Sequence, residues 1–231
     1  MRNSGLIAAT IAAIAMVGVS GEANAAACAD ATLDTYTVAG FTCTEGDKTF
    51  SSFTYVPDGN AAGQTPPATA VTVIPQTSAP GFFGFTFDAI WNAPTPNAVA
   101  DSSLSYTATV TPGSGFLITD SHLLITATAV GSGSLGSTTE TFSNGAPDLV
   151  ANTNGAGLGP NTATFATGVT SLTITKDIEA LAGPGVGSTA ELSSVTNTVS
   201  QTAVPEPASL ALLGTALIGF GVFGIRRRRQ S

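Results

Sequence analysis

His122 is the single histidine of this chain, and Asp120 and Ser121 stand directly before it. A Ser–His–Asp set would need all three side chains to converge on one point. Neighbours on a strand point to opposite faces, so Ser121 and His122 are not expected to meet. No Gly-x-Ser-x-Gly elbow occurs elsewhere. Paired carboxylates are the next chemistry to consider. Asp177 and Glu179 bracket Ile178, and Glu45 and Asp47 bracket Gly46. On strands each pair would share a face, the arrangement from which acid–base hydrolysis of glycosides or a calcium site can be built. No EF-hand pattern accompanies them, and exposed solvated acids are the plainer reading. Gly131–Gly136 spells GSGSLG and fits G-x-G-x-x-G. A dinucleotide site needs a helix to open there, whereas STTETFSNG follows, rich in Thr and ending in a turn. A hairpin loop is expected at this point. We therefore expect no catalytic residue, no metal and no cofactor.

Trp91, Tyr36, Tyr55 and Tyr106 could stack on sugar rings if several lined one exposed row. Buried in a core or paired across strands, they would serve packing instead.

The elements that would carry these residues read as strands. Thr occurs 35 times and suits a half-exposed strand better than a helix. Phe83, Phe85, Phe87, Ala89 and Trp91 fall at period two, as do Leu104, Tyr106, Ala108 and Val110. Leu123, Ile125 and Ala127 do the same, and so do Leu172, Ile174 and Ile178, with Lys176 in line. Val195, Asn197 and Val199 form the last such set. Clusters such as PDGNAAGQTPP, NAPTPN, TPGSG and AGPGVGS separate the runs and punctuate them as turns. The pattern predicts an all-β, antiparallel β-sandwich over residues 26–203, with jelly-roll and immunoglobulin-like topologies both open. Between Ala26 and Ala203 thirteen acids face only Lys48 and Lys176, a net of −11. Such a surface repels phosphate backbones, so no nucleic-acid partner is expected.

The two ends speak of destination. Arg2, the apolar run Leu6–Val19 and the small-x-small triplet Ala23-Asn24-Ala25 predict a signal peptide over residues 1–25, cut after Ala25. Ala25–Cys28 also admits a lipoprotein reading, against which stand the missing Leu before the cysteine and its distance from the apolar run. In an exported chain the only two cysteines, Cys28 and Cys43, read as a disulfide, a closure contributing about 3 kcal/mol. At the other end, Ala208–Ile225 is free of charge and predicts a transmembrane helix of about 27 Å. Arg226, Arg227, Arg228 and Arg229 follow at once and should hold the C-terminus in the cytoplasm. Pro205 and Pro207 keep the preceding peptide extended.

Val204-Pro205-Glu206-Pro207, the apolar helix and the arginine cluster, in that order, resemble the PEP-CTERM sorting signal of bacterial exported proteins. The resemblance covers residues 204–231. It implies that an exosortase, a membrane-embedded processing enzyme, reads the tail, cleaves near the Pro-Glu-Pro and passes the protein to the cell surface or exopolysaccharide matrix. Cys43–Tyr55, Ser171–Ile178 and the stretch SSVTNTVSQT are also similar in texture to whole PEP-CTERM proteins of unknown function. The expectation is thus an exported structural or adhesive protein that meets the lipid bilayer through its tail. A carbohydrate-binding module of the matrix, touching exopolysaccharide, is the alternative, and a secreted hydrolase the weaker one.

Overall fold

A computed structural model describes residues 25–79, 81–153 and 161–204. Ala23 and the remainder of the expected signal peptide before Ala25 lie outside these residues. So do Pro205, Glu206, Pro207, the predicted helix 208–225 and Arg226–Arg229.

Thirteen strands dominate the described residues: β1 (Ala26–Ala27), β2 (Ala31–Thr32), β3 (Thr42–Glu45), β4 (Lys48–Gly59), β5 (Thr72–Ala79), β6 (Phe82–Ala93), β7 (Val99–Val110), β8 (Phe116–Val130), β9 (Leu135–Phe142), β10 (Leu149–Asn152), β11 (Asn161–Val169), β12 (Ser171–Leu181) and β13 (Thr189–Ala203). One short helix, α1 (Leu33–Tyr36), follows β2. The strands form two sheets, in the orders β1-β3-β4-β7-β12-β9-β10 and β11-β8-β13-β6-β5-β2. Every pair of named strands is antiparallel except β1 with β3. This is an antiparallel-rich β-sandwich, as the alternation of apolar residues with Thr and Ser predicts.

The period-two sets point inward. Phe85, Phe87, Trp91, Leu104, Tyr106, Leu123, Ile174, Ile178 and Val195 are closed to solvent. Phe50 and Phe53 also face inward although they stand three apart. A bulge explains the spacing: the β4–β7 register shifts between Ser51 and Thr54, and Ser52 adopts φ 56°. Tyr36, Phe50, Phe53, Phe85 and Tyr106 then pack as one aromatic cluster with centroid separations of 4.7–6.1 Å, several edge to face. Trp91 donates its Nε1–H to Ser102 Oγ at 2.9 Å, so its one polar atom is satisfied inside.

Cys28 and Cys43 form the expected disulfide, with Cα atoms 4.8 Å apart. It ties the segment just after β1 to β3, beside the backbone bond from Cys28 N–H to Thr44 O at 3.0 Å. Two residues of strand could not hold this edge alone. Replacing both cysteines by alanine is expected to lower unfolding free energy by about 3 kcal/mol in urea titration. An unchanged midpoint would show that β1 and β3 hold together without it.

The GSGSLG run does not close a hairpin. β8 belongs to one sheet and β9 to the other, so residues 131–134 carry the chain over the edge of the sandwich. Gly131 and Gly133 take φ of +91° and +80° there. Ser134 Oγ fastens the corner, donating to Val130 O and accepting from Gly183 N–H.

Candidate functional site

The last strand is where the fold meets the predicted sorting signal. β13 lies inside its sheet, hydrogen-bonded to β8 on one side and β6 on the other. A Cβ at Gly84 of β6 would lie 2.0 Å from the Asn197 carbonyl oxygen, so only glycine lets the two backbones come so close. β13 ends at Ala203, and the Val204 N–H still bonds Gly115 O at 2.7 Å. The Pro-Glu-Pro therefore follows the domain with no spacer.

Of the two lysines between Ala26 and Ala203, Lys48 reaches across the sandwich to β13, and Lys176 is connected to β13 through Glu140. Lys48, at the start of β4, is closed to solvent and contacts Gln201 Oε1 of β13. Its Nζ also donates to Asp47 Oδ1 at 2.6 Å and lies 5.4 Å from the Phe83 ring centroid. Desolvation lowers its pKa, and the Asp47 carboxylate works against that shift. Lys176 of β12 stands directly opposite Glu140 of β9 and pairs with it, both fully buried. Ser121 of β8 donates to Glu140 Oε2 at 3.4 Å, and Asn197 Nδ2 of β13 donates to the same oxygen at 3.2 Å. Asn197 Nδ2 also reaches Ser121 Oγ at 2.8 Å and His122 O at 3.0 Å. Tyr106 O–H donates to Asn197 Oδ1. The network joins β7, β9 and β12 of one sheet to β8 and β13 of the other. A buried ion pair resists solvent cost only when its lone pairs are satisfied in this way.

The sugar-stacking candidates are not displayed. Trp91, Tyr36 and Tyr106 are buried, and Tyr55 is half-buried with its O–H bonded to Pro66 O at 2.7 Å. Ser121 and His122 face opposite ways, as the strand alternation requires. Ser121 is inside. His122 lies outside, with Nδ1 2.9 Å from Thr162 Oγ1 and Nε2 2.8 Å from Asp120 Oδ1. Glu45 and Asp47 do not share a strand face. Glu45 ends β3, whereas Asp47 lies in the two-residue turn with Gly46, which takes φ +59° and where a Cβ would strike the Phe83 ring at 2.4 Å. Glu45 accepts instead from Thr77 Oγ1 at 2.6 Å.

Asp177 and Glu179 do share the outer face of β12, and Asp101 of β7 pairs across from Glu179. Desolvation, then the charge of Asp177, raises the Asp101 carboxyl to about 6. Among the described residues no group of three His, Cys, Asp or Glu could hold a metal ion. A carboxyl whose pKa is raised on folding contributes most below its unfolded value near pH 4, and that contribution is lost as pH rises through 6. The domain should therefore lose about 1 kcal/mol between pH 4 and pH 7 from this residue, after allowing for solvent screening. Asp101→Asn should remove that slope in chemical denaturation; a slope unchanged by the substitution contradicts the assignment.

A groove of about 410 Å³ lies on the outer face of the β13 sheet, lined by Gln76, Phe82, His122, Leu124, Thr196 and Thr198. The Phe82 and His122 rings meet within it, tilted by 46° with their centroids 5.0 Å apart. Neither was paired with the other in the sequence, because Phe82 opens β6 and His122 lies within β8.

The molecule is thus an all-β sandwich whose last strand runs straight into a sorting tail. Residues 203–229 match the PEP-CTERM protein-sorting motif, so the chain carries the signal that implies export, surface sorting and processing by an exosortase. No curated protein matches the chain. Among solved structures, TmCBM61 in complex with β-1,4-galactotriose is similar over 62% of this chain and 86% of that one, at 10% identity and a TM-score of 0.30. A likeness of this size carries no argument about ligand. Among the described residues no helix is long and apolar enough to cross a membrane.

Proposed function

We propose that this chain is a non-enzymatic structural or adhesive protein of the cell surface or exopolysaccharide matrix, delivered there by its tail. The observation that carries the reading is the direct run from β13 into the sorting motif. The strand that would bear the load of an anchored tail is held on both edges and across the core. The signal peptide 1–25 takes the chain through the inner membrane, and helix 208–225 halts it in the bilayer with Arg226–Arg229 in the cytoplasm. The Cys28–Cys43 disulfide suits an oxidising compartment. Protease shaving of intact cells tests delivery. The domain should be digested from outside, and full protection would contradict export.

A second reading, a carbohydrate-binding module, draws on the outer groove. Phe82 and His122 offer ring faces, while Gln76, Thr196 and Thr198 offer polar atoms to hydroxyls. A glycan array on the full chain should then show binding that Phe82→Ala reduces at least about tenfold, the cost of one lost stacking platform. Signal unaffected by that substitution would leave only the structural reading.

A further inference from the structure

Three functional groups enclosed by the sandwich meet at one carboxyl. Lys176 carries a primary amine and Asn197 a carboxamide. The Glu140 carboxyl touches both, with Oε1 against Lys176 Nζ and Oε2 3.2 Å from Asn197 Nδ2. Tyr106 O–H donates to Asn197 Oδ1 and draws electron density from the amide carbon. The Tyr106 ring also lies 5.5 Å from Lys176 Nζ. Lys176, Glu140, Asn197 and Tyr106 are all buried, which keeps bulk water from competing.

We propose that Lys176 Nζ and Asn197 Cγ join in an intramolecular amide bond, formed without any external enzyme. The neutral amine attacks Cγ, and the oxygen that becomes negative keeps the Tyr106 hydrogen bond. Glu140, as the acid, gives a proton to Asn197 Nδ2 and takes one from Lys176 Nζ. The Cγ–Nδ2 bond breaks and ammonia leaves. The products are one secondary amide and one ammonia, with Glu140 protonated as at the start, so no oxidant or co-reactant is needed. Burial favours the reacting forms. Desolvation lowers the Lys176 pKa and raises that of Glu140, moving the pair toward amine and carboxylic acid.

The bond would join β12 of one sheet to β13 of the other. β13 is the strand from which the sorting tail leaves, so tension on an attached tail would meet a covalent tie rather than hydrogen bonds alone. The chemistry of the core does not depend on the sorting reading, and failure of either leaves the other standing.

The test is mass spectrometry of the full chain, produced without a processing enzyme, denatured and cut after glutamate. Lys176 lies in the peptide 141–179 and Asn197 in the peptide that starts at Leu192. The expected result is one linked species, lighter than the sum of the two peptides by one ammonia, about 17 Da. Glu140→Gln, which keeps the side chain's shape but cannot carry the proton, should give two free peptides while circular dichroism still reports the sheet. Free peptides from the unsubstituted chain would overturn the proposal. So would linkage of undiminished yield in Glu140→Gln, or a bond from Lys176 to Glu140 itself, which would expel water, about 18 Da, and block cleavage after Glu140.

Discussion

Glu140→Ala is expected to leave the domain about 3–5 kcal/mol less stable than the double replacement Glu140→Leu with Lys176→Met. The single change strands an ammonium in a site with no solvent, opposite a cavity where its partner stood. The double change removes the charge and the need for a partner together, and leaves apolar side chains of similar volume among Leu104, Ile174 and Ile178. Neither variant can make the Lys176–Asn197 bond, so the comparison isolates the burial of charge. Domains of this kind are stable by only about 5–15 kcal/mol, so the single variant should be partly unfolded or aggregation-prone at 37 °C. Equilibrium urea unfolding of both variants checks this. A single variant as stable as the double would mean that Lys176 reaches water or sits there as the neutral amine.

The second large effect concerns the tail. Replacing Pro205, Glu206 and Pro207 by alanine should abolish the surface form and leave the whole chain in the membrane. Alanine would let the proposed helix 208–225 extend upstream, up to the point where β13 holds Val204 against Gly115. The extended peptide that a processing enzyme needs then disappears into a helix. Cell fractionation with detection of the sandwich domain reads the outcome. Undiminished surface protein in the triple variant would show that the prolines are not what is recognised.

Strand faces were legible because the apolar residues alternate cleanly. That alternation placed Lys176 and Asn197 on inward faces, in line with Ile174 and Ile178 and with Val195 and Val199. Glu140 was not legible. It sits in a run of threonines that ends in a turn, where Phe142 is the one large apolar residue sharing its face. The signal that could have found it is the lysine itself, since a buried ammonium demands an acid nearby. Sheet membership was also hidden. GSGSLG has the composition of a hairpin, but the chemistry of a turn does not say whether the next strand joins the same sheet or the opposite one. The aromatic residues were readable as strand residues yet not as a single cluster. Phe50 and Phe53 meet Tyr36 and Tyr106 only because of the bulge at Ser52 and the crossing of the chain between layers. The tail was the most legible part, because its three pieces act locally and in order.

The central claim is that the sandwich reaches the cell surface by way of its carboxyl-terminal signal and leaves that signal behind. Intact mass spectrometry of the protein recovered from the cell surface or matrix tests it most directly. The account predicts a chain that ends near Pro205–Pro207, lacking the apolar segment and the four arginines. A surface species that still ends at Ser231 would contradict it.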